Sequence, residues 1–538
     1  MIKINDNLNI YFPLELKPRE QQIEALEFTK KSINNGKKNI LLNLPTGAGK
    51  SYFIIMFANW YKNFINNNAK FDIITNSKIL QSQYVNDFPF IKSLKGTSNY
   101  YCDFHKTNCS EGKELNKVLK RVCNNCPYDY AKRMWIDSDI GSSNFALFIS
   151  LALYTENLEQ KNSNVLIIDE AHDFESVFCD FISTKLSKNV LKKCGLSQIL
   201  QTNYLREFKK IKKHEDFIRF IENDFLNNIQ NHHEKLTENI RKESEKNIKN
   251  IKSKQLSYCL SLIEKLDKLI ENYYKYKDNW SLDISYDKEN NIELILQPIW
   301  GYPFLNDIIW KNYDHIIFMS GTLLDKKMYS YINGLDENIT TYKEMNSVFD
   351  VKKRPLYYIK VGKMTYKEKE KTFENQIEVI NKILKKYKDK KGIIHTVNYE
   401  LNNWLKEKII CDRFIFHDPD NREEKYQEFL ESNEPKIMIS PSMMSGIDLH
   451  SDRARFAIML KIPYPNISSN KIKARQKSNK DWYNFKTCSD IIQTYGRTIR
   501  SESDYSDTFL LDESFSNILK YNSKYLPRYF TNAIKILK

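Results

Sequence analysis

The chain has 538 residues, and 83 Lys and Arg against 68 Asp and Glu leave a net charge of +15. Its 41% hydrophobic and 13% aromatic content can fill several cores, which excludes wholesale disorder. At about 150 residues per domain, three or four units fit. No apolar run approaches the ~20 residues a membrane span needs, and nine scattered cysteines are too sparse for a disulfide scaffold. Met1–Pro13 lacks the basic-then-apolar pattern of a secretory signal, so a reducing, intracellular compartment is expected. The basic excess hints at a polyanionic partner, although a composition heavy in Asn, Ile and Lys explains it about as well.

In chain order, Lys38–Leu44 is a short apolar run, Pro45–Ser51 a turn-rich loop, and Tyr52–Phe64 apolar nearly all round. That sequence predicts strand, loop and buried helix. Gly49-Lys50-Ser51 in this context reads as a phosphate loop. The backbone N–H groups of Thr46, Gly47, Ala48 and Gly49 at a helix N-terminus favour an anion. Lys50 adds a full charge for the β and γ phosphates, and the Ser51 hydroxyl is a hard oxygen for Mg²⁺. Leu44 stands where the usual pattern begins with Gly. A chance Gly-Lys-Ser in a basic chain is the bland alternative, and the flanking strand and helix argue against it.

Phe71–Thr75 and Asn164–Ile168 predict further strands, the second running into Asp169-Glu170-Ala171-His172. Carboxylates at the C-terminal end of a buried strand lie where an open α/β sheet binds ligands. Asp169 would hold Mg²⁺ through water, and Glu170 would orient or deprotonate the attacking water. Between these strands Cys102, Cys109, Cys123 and Cys126 follow the spacing C-x6-C-x13-C-x2-C, while the other five cysteines are scattered. Four clustered thiols indicate a metal site, and four sulfurs suit Zn²⁺ or an iron–sulfur cluster. The spacing alone makes zinc the default.

Residues 180–278 carry helical spacing, as in Leu260, Ile263, Leu266, Leu269 and Ile270, and predict a helical insertion. Trp280–Pro298 alternates around Asp287–Asn291, the pattern of a hairpin. His315–Ser320 predicts another strand. After about residue 330 the strand–helix alternation resumes, with strands at Gly392–Thr396, Arg413–His417, Lys436–Ser440, Arg455–Leu460 and Thr508–Asp512. The fold class is therefore α/β with parallel sheets. In Gln493–Arg500 the side chains of Arg497 and Arg500, three apart, share a helix face and can both reach a polyphosphate.

Taken together, these segments resemble the superfamily 2 helicases of the XPD/DinG type, in a compact version. Arg19-Glu-Gln-Gln22 is similar to the adenine-proximal R-x-x-Q element, Pro45–Ser51 to motif I and Thr75–Gln83 to motif Ia. Asp169–His172 reads as a DEAH box, Ser320-Gly-Thr-Leu323 as motif III, Ser440–Leu449 as motif V and Gln493–Arg500 as motif VI. Ser51 replaces the family's Thr, and Met443-Met444 interrupt motif V. Lys95–Cys102 and Cys126-Pro-Tyr128 are similar to the flanks of the family's [4Fe-4S] domain, which shifts the expectation from zinc to that cluster.

The resemblance implies two RecA-like lobes with ATP and Mg²⁺ between them. Residues 1–86, 139–178 and 279–328 would form lobe one, 87–138 the iron–sulfur insertion, 179–278 a helical arch, and 329–538 lobe two. Arg19, Gln22, Thr46–Ser51 and Asp448 would contact nucleotide. Lys50, Ser51, Asp169, Glu170, Gln493, Arg497 and Arg500 would carry the chemistry, with Ser51 and Asp169 on Mg²⁺. Asp448 and Thr322 would couple nucleotide state to the bound strand. The implied activity is ATP-dependent, 5′-to-3′ DNA unwinding on single-stranded and forked DNA, with no membrane partner. A nucleic-acid-stimulated ATPase without strand separation, and a helicase acting on RNA or RNA–DNA hybrids, are the alternatives.

Overall fold

The computed structural model describes residues 2–3, 11–12, 17–45, 47–123, 125–242, 250–347, 349–441, 449, 451–498 and 504–537. Two seven-stranded sheets organise them. The first has the order Thr340–Glu344, Asn39–Asn43, His315–Ser320, Val165–Asp169, Phe71–Thr75, Ile140–Asn144, Lys92–Ser93, and every pairing is parallel. The second has the order Phe414–Phe416, Ile437–Ser440, Gly392–His395, Phe456–Met459, Asp507–Leu510, Leu356–Ile359, Ile534–Leu537, also parallel throughout. Strands covered on both faces need continuous apolar runs. Asn39–Asn43 and Val165–Asp169 are buried along their whole length.

Register decides where the chemistry gathers. Ser320 pairs opposite Asn43, and Met319 opposite Asp169, so the three strand ends open onto one edge of the first sheet. Thr340–Glu344 pairs with Asn39–Asn43, whereas Leu356–Ile359 already belongs to the second sheet. The chain therefore crosses between sheets after Glu344, later than the end at 328 expected from the motifs.

The expected helical insertion holds the helices Lys188–Lys193, Gln198–Phe208, His214–Phe220, Leu226–Lys242 and Asn250–Lys275. It shares one apolar core with a face of the first sheet, running from Leu41 and Phe174 through Phe225 to Leu266 and Tyr273. The expected hairpin forms from Trp280–Tyr286 and Ile292–Pro298, with Thr184–Leu186 added at its edge.

The four-cysteine segment is built from a small hairpin, Tyr101–Cys102 with Thr107–Asn108, and the helices Cys109–Leu119 and Pro127–Asp137. It docks on the helical insertion. Leu115 and Val118 pack with Ile240 and Leu256, Arg241 Nε donates to the Val118 carbonyl at 3.2 Å, and the Ser253 hydroxyl donates to Glu111 at 3.3 Å. Among the described residues no helix is long and apolar enough to cross a membrane.

Candidate active site

The phosphate loop leaves the strand Asn39–Asn43 and enters the helix Lys50–Phe64. Gly49 caps that helix with φ +76°, and a Cβ there would run into the Gln22 amide. Only glycine allows both the left-handed backbone and this close approach. Gln22 is buried, accepts from the Arg19 N–H at 2.8 Å and donates to the Gly49 carbonyl at 2.9 Å. The expected R-x-x-Q element is therefore tied to the loop. Gly47 (φ +82°) lies against the ring of Phe349, a residue of the crossing segment that the motif reading missed. Ala48 is buried. Thr46 lies outside the described residues.

Lys50 reaches across to the DEAH strand. Its Nζ contacts Asp169 Oδ1 at 3.1 Å and forms a close ion pair with Glu170 Oε1. Burial alone would lower the lysine's pKa; the two carboxylates outweigh it and hold it above its ordinary value. Asp169 Oδ1 also accepts the Glu170 N–H at 2.9 Å, and Asp169 Oδ2 accepts the Tyr84 hydroxyl at 2.9 Å. Glu170 has left-handed backbone, φ +56°, which turns it out of line with the strand. Tyr84 was not singled out in the sequence. Its signal was its place in the helix Lys78–Asp87, three residues beyond the buried Gln81 of motif Ia.

From His172 a chain of hydrogen bonds crosses to the second lobe. Its Nδ1 lies 2.8 Å from the Ser320 hydroxyl, which lies 3.3 Å from the Thr322 hydroxyl. Gln493 Nε2 donates to Thr322 Oγ1 at 2.5 Å and approaches His172 Nδ1 at 3.5 Å. On the other side His172 Nε2 meets Asp173 Oδ2 at 3.3 Å, and Asn76 of motif Ia donates to that oxygen at 3.2 Å. Burial would raise the Asp173 carboxyl, but the imidazole and the other partners hold it well below the usual carboxylate range. Motifs Ia, II, III and VI thus meet in one polar network.

Arg497 follows the helix Lys480–Tyr495, and its carbonyl accepts the Leu449 N–H at 3.3 Å. Its guanidinium field reaches His395 at the end of a central strand of the second sheet. Burial, then Arg497, lowers that imidazole to about 3. Arg500 and Asp448 lie outside the described residues, as does motif V from 442 to 448.

A second contact between the lobes escaped the sequence reading. Arg475 Nη2 meets Glu175 Oε1 at 2.6 Å with both side chains buried. The guanidinium lies 4.6 Å from the ring centre of Trp300 and 5.2 Å from that of Trp482. The two partners stand 300 positions apart, so no local pattern announces them.

Two of the four cysteines meet directly, and the others lie near them in the same small segment. Cys109 and Cys126 sulfurs lie 3.5 Å apart, and Cys123 interacts electrostatically with both Cys126 and Cys102. A Cβ on Gly112 would stand 2.8 Å from Cys102 Sγ, so the helix Cys109–Leu119 makes room for that thiol. Burial and the neighbouring Cys126 push the Cys109 thiol up to about 12. Among the described residues no three His, Cys, Asp or Glu side chains group closely enough to hold a metal ion. His105 bonds Asn116 at 2.7 Å. Cys102, Cys109 and Cys126 are buried and Cys123 is half-buried, and the chemistry of four such soft donors is that of a sulfur-ligated group. The aromatic residues nearby divide sharply: Tyr128 and Trp135 are buried, Tyr101, Phe104 and Tyr130 exposed.

Comparison with known proteins agrees with this architecture. Residues 373–533 match the helicase C-terminal domain family, and residues 15–205 match the family described as type III restriction enzyme, res subunit. A solved XPD helicase superposes with TM-score 0.66 at 16% identity over 97% of this chain and 100% of its own. Xpd4 of S. tokodaii gives TM-score 0.58 at 15% identity, covering 97% of this chain and 100% of its own. An ATP-dependent DNA helicase CHL1 of Vanderwaltozyma polyspora is 25% identical over 149 residues, 22% of this chain and 18% of that protein. The chain thus matches under a fifth of that curated relative's length.

Proposed function

We propose that this chain is an XPD/DinG-like superfamily 2 helicase that hydrolyses ATP to move along single-stranded DNA and open duplex DNA ahead of it, in the 5′-to-3′ direction. The observation that carries this reading is the continuous polar network from Lys50, Asp169 and Glu170 through His172, Ser320 and Thr322 to Gln493. A nucleotide that pulls Lys50 from its carboxylates disturbs this network at one end. The second lobe feels it at the other, which is the coupling a motor needs.

In this reading the Gly47–Gly49 backbone, with Thr46, cradles the phosphates, and Lys50 turns from Asp169 and Glu170 to neutralise them. Ser51 and Asp169 hold Mg²⁺, and Glu170 takes the proton of the attacking water. Gln22, with Arg19, lies beside the base. Arg497 and Arg500 approach from the second lobe and stabilise charge that develops on the transferred phosphoryl group. Asp448 belongs to the same lobe's nucleotide contacts.

Cys102, Cys109, Cys123 and Cys126 would hold a [4Fe-4S] cluster, which supplies a covalent clamp for a segment with little core of its own. The contact between this segment and the helical insertion supports a ring through which a strand passes. Exposed Tyr101, Phe104 and Tyr130 offer stacking surfaces worth about 1–3 kcal/mol per base.

Unwinding of duplexes bearing a single 5′ or 3′ tail tests the proposal. The expected result is ATP-dependent strand release from the 5′-tailed substrate only. ATP hydrolysis without release from either substrate, or release confined to RNA–DNA hybrids, would contradict it.

A further inference from the structure

The buried hydroxyl of Tyr84 lies against both residues assigned to Mg²⁺. It donates to Asp169 Oδ2 at 2.9 Å, and the Ser51 hydroxyl interacts with it from the phosphate-loop side. A carboxylate offers about four lone-pair positions. On Asp169, Oδ1 takes the Glu170 N–H at 2.9 Å and Lys50 Nζ at 3.1 Å, while Oδ2 takes Tyr84. Among the described residues this leaves one position, on Oδ2, for a metal-bound water.

The arrangement also has a time order. Lys50 must leave Asp169 when it turns to the phosphates. The Glu170 N–H then anchors Oδ1, and Tyr84 is the side-chain donor that keeps the carboxylate from rotating about its Cβ–Cγ bond. A tyrosine in a packed core suits this task. Its ring is buried in the apolar cluster that also holds Phe53, Phe88 and Ile73, and its hydroxyl meets Asp169 and Ser51.

We propose that Tyr84 is a positioning residue for the Mg²⁺ site, aiming the free lone pair of Asp169 Oδ2 and the Ser51 hydroxyl at a shared cation. This rests on the assignment of Ser51 and Asp169 to Mg²⁺ given above. The same helix carries Gln81, whose amide donates to Ser93 Oγ at 2.7 Å and to the Leu94 carbonyl at 2.8 Å, where the chain departs for the four-cysteine segment. The Mg²⁺ carboxylate and the root of that segment are thereby held by one helix.

The test is binding of a fluorescent ADP analogue to the full chain, in Mg²⁺ and in EDTA, for the wild type, Tyr84→Phe, Asp169→Asn and the double variant. Loss of an outer-shell partner costs about 10–100-fold in metal affinity. Tyr84→Phe is therefore expected to weaken the Mg²⁺-dependent gain in ADP affinity about 10-fold or more, with EDTA affinity and melting temperature at wild-type values. The double variant is expected to lose no more than Asp169→Asn. An undiminished Mg²⁺ gain in Tyr84→Phe, beside a loss in Asp169→Asn, overturns the role of Tyr84 alone. An undiminished gain in Asp169→Asn overturns the Mg²⁺ assignment itself. A Tyr84→Phe chain that no longer folds assigns the hydroxyl to the core and also overturns the proposal.

Discussion

Glu170 and Lys50 form an ion pair at the heart of the site, and their fates on substitution differ. Glu170→Gln keeps a side chain of the same size and removes the base. ATP binding is expected to persist while hydrolysis falls about 10²–10⁴-fold, the usual contribution of a general base; equilibrium binding beside steady-state turnover checks both. Loss of binding would mean that the ion pair organises the loop rather than the water. At this scale the sequence was informative wherever chemistry requires a residue type at a fixed local spacing, as with Gly49-Lys50-Ser51 and Asp169-Glu170. Arg475 was not legible, and Tyr84 had only its place just past motif Ia to mark it. Tyr84 reads as one more core aromatic, and Arg475 as one more charge on a basic helix. Their roles come from partners 85 and 300 positions away.

Among the elements, the long apolar strands were legible and the sheet edges were not. Lys92-Ser93 and Ile140-Gly-Ser-Ser-Asn144 lack the β-branched runs that announce a strand, yet they close one side of the first sheet: Ile140–Asn144 pairs parallel with Phe71–Thr75, and Lys92-Ser93 parallel with Ile140–Asn144. Thr340–Glu344 is polar because it forms the opposite edge, and this moved the lobe crossing past the expected position. The four-cysteine segment has only a small apolar cluster around Leu94, Trp135 and Leu151. Cys109→Ser is expected to lower the iron content of anaerobically purified protein and abolish unwinding while leaving some ATP hydrolysis. Unwinding at wild-type rates would show that the thiols serve no clamp.

Across the whole molecule, the two lobes share a core. Trp300, Leu324, Met328 and Ile332 pack with Trp482, Phe485 and Ile492, and Arg475–Glu175 lies within that joint. Truncating one partner of a buried pair costs about 3–5 kcal/mol, because the other charge is left uncompensated. Arg475→Ala is expected to lower the urea midpoint accordingly, and an unchanged midpoint would show that the joint does not depend on the pair. Burial alone would raise the Glu175 carboxyl; Arg475 and then Lys471 outweigh it and hold it below its ordinary value. A carboxyl depressed on folding stabilises above its unfolded pKa of about 4.3 and loses that contribution as pH falls below it. Acidification from pH 6 to 3 is therefore expected to destabilise the wild type more than Glu175→Gln, as read by denaturation at each pH.

The central claim is that one triphosphate site is completed by side chains from both lobes. Steady-state ATP hydrolysis with and without single-stranded DNA, in the wild type, Lys50→Ala and Arg497→Ala, tests it most directly. The account expects DNA to stimulate the wild type, and expects either substitution to cut the stimulated rate by at least about 10²-fold, the cost of one charge stabiliser. Near-normal hydrolysis by Arg497→Ala, with Lys50→Ala inactive, would confine the chemistry to the first lobe and contradict the account.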